Sequence, residues 1–201
     1  MAYQYDVFLS YRRKSSKWVQ KIFLPGLVHY LEEEAGRNVT VFVDWHDVQT
    51  GDAWTERLKR GLAHSKCLVS LLLPTYFESD WCTKEFAVFE YRSRQNGLLT
   101  IEKPSGLIEP LALHASERFP TILSELQMFD LGRYYVAGTE GYKKSKKYQP
   151  LQDELKILAK KVAERIELAP EWNPDWLHDN WLEVPTEHLR IDKFSVPQPR
   201  I

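Results

Sequence analysis

Short runs of nearly unbroken apolarity alternate along most of this chain with segments of helical periodicity. YDVFLSY (Tyr5–Tyr11), VTVFVD (Val39–Asp44) and KCLVSLLL (Lys66–Leu73) are rich in β-branched and aromatic residues. That is how strands buried on both faces of a parallel sheet read. LIEPLALH (Leu107–His114) and QMFDL (Gln127–Leu131) are weaker strand candidates. Pro110 removes a ladder donor and points the first of these to a sheet edge or a bulge.

Between the runs lie amphipathic stretches. Ile22, Phe23, Leu27, Tyr30 and Leu31 form one stripe, with a kink or restart expected at Pro25–Gly26 and a stop at Gly36. TGDAWTERLKRGLAHS (Thr50–Ser65) begins with cap-type residues and sets Trp54, Leu58 and Leu62 on one side. WCTKEFAVFEYRSR (Trp81–Arg94) turns Phe86, Val88 and Phe89 inward, and the segment 151–168 carries the stripe Leu151, Leu155, Leu158, Val162 and Ile166. Strand and helix in alternation predict an α/β fold, a parallel sheet covered by helices on both faces with right-handed crossovers. Gln95–Gly106 reads as a loop. Residues 170–201 hold five prolines and Trp172, Trp176 and Trp181, so we divide the chain into 1–169 and a Trp- and Pro-rich arm or linker, 170–201. The tryptophans favour an arm packed back on the body.

Composition narrows the function classes. Lys and Arg total 27 against 28 Asp and Glu, a formal net charge of -1, which argues against direct nucleic-acid binding. No apolar stretch is long enough to span a bilayer, and the start lacks a signal-peptide pattern. Cys67 and Cys82 therefore read as thiols in a reducing cytoplasm, and neither has a partner at zinc-ligand spacing, so no metal is expected. The charge run Lys143–Lys147 reads as a solvated stretch ahead of a helix.

Three pieces, YDVFLSYRR, VFVDWHDVQTGDAW and SDWCTKEF, stand in order at compatible spacing. Together they resemble the Toll/interleukin receptor (TIR) domain family over roughly residues 3–168, and FDLGRY (Phe129–Tyr134) is similar to its fifth strand and exit. The resemblance implies a flavodoxin-like three-layer sandwich around a five-stranded parallel sheet. It leaves two functions open: adaptors that act by TIR–TIR interaction, and enzymes that cleave NAD+ at the nicotinamide–ribose bond. Those enzymes carry a glutamate at the position of Glu85, often with a tryptophan one turn earlier, and this chain has both Glu85 and Trp81.

In an open α/β sheet, ligands bind beyond the carboxyl ends of the strands. The first strand exits into Ser10, Tyr11, Arg12 and Arg13, the second into Asp44, Trp45, His46 and Asp47, the third into Pro74, Thr75 and Tyr76, and the helix of Trp81 and Glu85 starts on the same rim. Cations suit a pyrophosphate and aromatic faces suit bases. Glu85 is the catalytic candidate; Tyr11, Arg12, Arg13, Asp44, Trp45 and Trp81 are the substrate-binding candidates, with one of the two arginines expected to face inward. Each has a plainer reading: Glu85 as a solvated helix residue, Tyr11 and Trp81 as packing, Asp44 as a brace for its loop, His46 as a loop histidine. NAD+ enters as substrate, with no cofactor. The resemblance further implies self-association that completes the site through the loop Asp44–Asp52, and a sensor or effector partner in immune or anti-phage signalling. Transfer of the ribosyl group to another acceptor is a third possibility.

Overall fold

A computed structural model describes residues 2–43, 52–102, 104–114, 119–178 and 183–190, with the side chains of 52–54 and 124–125 outside the description. Five strands form one sheet in the order β2-β1-β3-β4-β5: β1 (Tyr5–Tyr11), β2 (Val41–Val43), β3 (Ser65–Leu72), β4 (Ile108–Ala112) and β5 (Phe129–Asp130). Every pairing is parallel. This is the flavodoxin-like α/β sandwich.

Successive side chains of a strand leave on opposite faces, so each unbroken apolar run feeds two cores. Val7, Leu9 and Tyr11 of β1 join Val69 and Leu71 of β3 beneath α2 (Leu24–Ala35) and α5 (Tyr148–Glu167). Phe8, Leu68 and Leu72 lie on the other face, beneath α3 (Asp52–His64) and α4 (Asp80–Gln95). The whole stripe of α5, Leu151 to Ile166, is buried, as are Leu58 and Leu62 of α3 and Phe86, Val88 and Phe89 of α4. The expectation for Trp54 concerns a side chain outside the described residues.

Two local expectations resolve in specific ways. The chain enters α2 through a short helix, α1 (Ser16–Trp18), and a π-helical turn, Val19–Phe23, in which the Leu24 amide donates to the Val19 carbonyl. Pro25 thereby falls in the first turn of α2, directly after the π-turn. Gly36 ends the helix in the left-handed conformation, φ 63°.

The edge-or-bulge reading of Pro110 is corrected: β4 is an interior strand, between β3 and β5. Leu107 O accepts from Leu68 N and Leu113 N donates to Leu72 O, so odd positions of β4 face β3 and Pro110 faces β5. There β5 pairs with Leu111 and Ala112 alone. The missing donor lies where the neighbouring strand has not yet begun.

The arm beyond residue 169 packs on the body. Trp172 Nε1 donates to the Ala63 carbonyl at 3.1 Å, and its ring stacks on His64. Trp176 covers the buried Arg92 guanidinium of α4, 3.9 Å from ring centroid to Cζ. Leu189 is fully buried beside α4. Trp181, Pro197 and Pro199 lie outside the described residues. Among the described residues, no helix is long and apolar enough to cross a membrane.

Candidate active site

Where β1 ends and α4 begins, a cavity of about 440 Å³ opens at the carboxyl edge of the sheet, within the size range of small-molecule sites. The position follows from topology. The chain leaves β1 toward β2 on one side and reaches β3 on the other, the reversal at which doubly wound sheets open a crevice.

Helix α4 starts at the rim because Ser79 caps it, its Oγ accepting from the Cys82 amide at 3.5 Å. That start places Trp81 in the first turn and Glu85 in the second, on one helix face. Both line the cavity. Glu85 is only 5% exposed, and its Oε2 accepts a hydrogen bond from Ser10 Oγ of β1. Ser10 Oγ is bonded in turn to the Tyr76 hydroxyl, which is completely buried. The plainer reading of Glu85 as a solvated helix charge is therefore set aside by its burial. Trp81 is half-buried, with the Lys84 ammonium 5.2 Å from its ring centroid.

The exit of β1 supplies the cavity's cationic lining. Tyr11, Arg12 and Arg13 all line the cavity. Of the two arginines, Arg12 is half-buried and Arg13 exposed. The chain turns into a short 3-10 helix, Arg13–Ser15, directly after Arg12, and this turn keeps both residues at the rim. Lys14 adds a third cation to the lining. Asp44 and Trp45, with His46 and Asp47, lie outside the described residues. Cys82 also borders the cavity, but burial, and then the Glu85 charge, push its thiol up to about 12. It is no thiolate at neutral pH. Among the described residues, no three His, Cys, Asp or Glu side chains group as metal ligands.

Sequence reasoning assigned no role to Ser10 or Tyr76. A signal for Ser10 was present: positions 8 and 10 of β1 face α4, and a small hydroxyl beneath a helix leaves room for the Glu85 carboxylate. Nothing local marks Tyr76 as its partner.

A model of the TIR domain family matches residues 7–142, and the chain belongs to that family. Among solved structures, the chain is similar to the TIR domain of the Toll-related receptor TRR-2 from Hydra magnipapillata, at 20% identity over 76% of this chain and 98% of that one, TM-score 0.43. It is also similar to the TIR domains of the activated Roq1 resistosome directly recognizing the pathogen effector XopQ, at 16% identity over 82% and 96% of the two chains, TM-score 0.39. No curated protein matches.

Proposed function

We propose that this TIR domain is an NAD+ glycohydrolase, cleaving the nicotinamide–ribose bond to give nicotinamide and a linear or cyclic ADP-ribose product. One observation carries the reading: the buried Glu85 carboxylate shares a cavity with the Trp81 indole and the Arg12 and Arg13 guanidiniums. Two cations suit the pyrophosphate, and the flat faces of Trp81 and Tyr11 suit the ribose and nicotinamide.

A single carboxylate suffices for this reaction. The C1′–N bond breaks with its electron pair passing to the pyridinium nitrogen, so nicotinamide leaves neutral and unprotonated. Glycosidases that expel an oxygen need a second carboxyl to protonate it. Here Glu85 stabilises the positive charge that develops at the ribose C1′. Water then forms the new C1′–O bond and yields its proton to solvent, or an adenine nitrogen closes the ring. NAD+ is the substrate, and no further cofactor is assigned.

In keeping with the NAD+-cleaving members of the family that the chain resembles, we place it in the cytoplasm, in immune or anti-phage signalling, activated by self-association and coupled to a sensor or effector protein. The test is nicotinamide release from NAD+ by the purified protein at high concentration or with a crowding agent. Glu85→Gln should lower the rate by at least about 100-fold. Equal background release from both proteins overturns the enzyme and favours a TIR adaptor. Base-exchanged products on adding free bases would identify ribosyl transfer instead.

A further inference from the structure

We propose that Ser10 and Tyr76 are positioning residues, a buried hydroxyl relay that fixes the direction of the proton offered to Glu85 and thereby the orientation of its carboxylate. The inference rests on the reading of Glu85 given above and adds two residues to it.

The argument is a count of protons. Tyr76 is fully buried at the foot of the site, and its hydroxyl is bonded to Ser10 Oγ. Burial, reinforced by neighbouring Cys82 and Glu85, pushes that phenol well above its ordinary range, so it keeps its proton; with the single Ser10 proton directed at Glu85, the Tyr76 hydroxyl is the donor of their bond. Ser10 has one proton and two lone pairs. With one lone pair taken by Tyr76, its proton goes to Glu85 Oε2, since the Cys82 thiol, also within hydrogen-bond reach of Ser10, is a far weaker acceptor than a carboxyl oxygen. Glu85 therefore meets a donor at Oε2, and that oxygen acts as acceptor.

The relay also has a rigid frame. Ser10 lies in β1, paired on one side with β2 and on the other with β3. Tyr76 opens the turn between β3 and α4, its amide bonded to the Leu73 carbonyl. Glu85 is on α4. One chain of hydroxyls thus ties the carboxylate to the sheet and to the turn that launches its own helix. The register partner of Ser10 is Ser70, on the adjacent strand. Ser70 is equally buried, and its hydroxyl finds no hydrogen-bond partner among the described residues. It is a natural control, a serine in the same row that takes no part.

Steady-state nicotinamide release by Ser10→Ala, Tyr76→Phe and Ser70→Ala tests the relay. Ser10→Ala should lower kcat roughly 10- to 100-fold, the effect of a mispositioned catalytic group, with a smaller change in KM, since only one small hydroxyl of the cavity lining is lost. Tyr76→Phe should lower kcat in the same sense, and Ser70→Ala should leave both constants unchanged. Carbon-13 NMR of labelled glutamate supplies a readout independent of turnover. The Glu85 carboxyl should titrate at higher pH in Ser10→Ala and in Tyr76→Phe than in the unaltered protein, and at the same pH in Ser70→Ala. An unaltered protein that releases no nicotinamide sinks the enzymatic reading, while the titrations still judge the relay. Unchanged kcat in an active Ser10→Ala protein, or an unmoved Glu85 titration, overturns it.

Discussion

Asp6, the second residue of β1, is held by donors from three residues in one nearly buried place. Arg37 binds it through both terminal nitrogens, at 2.7 and 2.9 Å, Lys66 adds an ammonium at 3.0 Å, and the Thr40 amide donates at 3.1 Å. Burial alone would raise its pKa, but the bonds from Arg37, Thr40 and Lys66 outweigh it and hold the carboxyl well below the usual range. A depressed folded-state value contributes stability that is present above the unfolded value, about 3.9, and is lost as pH falls. Asp6→Asn should therefore cost about 1.5–3 kcal/mol at neutral pH and flatten the fall of the melting temperature between roughly pH 5 and 3. Thermal melts of the two proteins across that range check it; parallel curves would show that the network adds nothing. The same scale explains what could be read in advance at the candidate site. Glu85 and Trp81 are legible because their relation is local, one turn of a single helix. Ser10 meets Glu85 across 75 positions and Tyr76 across 66, and such pairings are set by the sheet and not by any spacing.

Elements were more legible than their edges. Helix stripes and strand runs follow from periodicity, but β2 shrinks to Val41–Val43 and β5 to Phe129–Asp130, because an edge strand extends only as far as its one neighbour pairs with it. Pro110 misled for a related reason: a proline forbids one hydrogen bond, on one side of the strand, and composition does not say which side. Packing between elements is equally hidden. A Cβ added at Gly61 of α3 would come within 2.5–2.7 Å of three atoms of the Phe42 ring on β2. That ring cannot swing aside, since it stacks on Phe8 at 5.0 Å and meets Tyr5 edge-on at 5.2 Å. Gly61→Ala should lose about 1–3 kcal/mol to overpacking, offset by about 1 kcal/mol of better helix propensity. Chemical denaturation should show a net loss; a stabilised variant would mean that β2 yields.

At the scale of the whole molecule, the arm is fastened to the base of the sandwich. Arg92 donates to the Leu62 and Ser65 carbonyls at 3.2 and 3.0 Å and to the Tyr3 hydroxyl at 3.1 Å. Its Nε finds no hydrogen-bond partner among the described residues, and the Trp176 ring covers the guanidinium. Tyr3 also donates to the Pro170 carbonyl at 2.8 Å, so the beginning of the described chain and the arm are joined through one guanidinium. Trp176→Ala should cost about 2 kcal/mol, the worth of a desolvated cation–π contact, and hydrogen exchange should quicken at the carboxyl end of α4. Unchanged melting and exchange would reduce the arm to a passive cover. Further along, His188 Nε2 lies 2.6 Å from Glu90 Oε2, a second grip on the same helix. Helix α4 spans 16 residues, about 24 Å at 1.5 Å per residue, with Glu85 toward one end and both grips toward the other. Both grips thus hold the second half of the helix whose second turn carries the Glu85 carboxylate, so the seating of the arm bears on the same element that positions the cavity's acid.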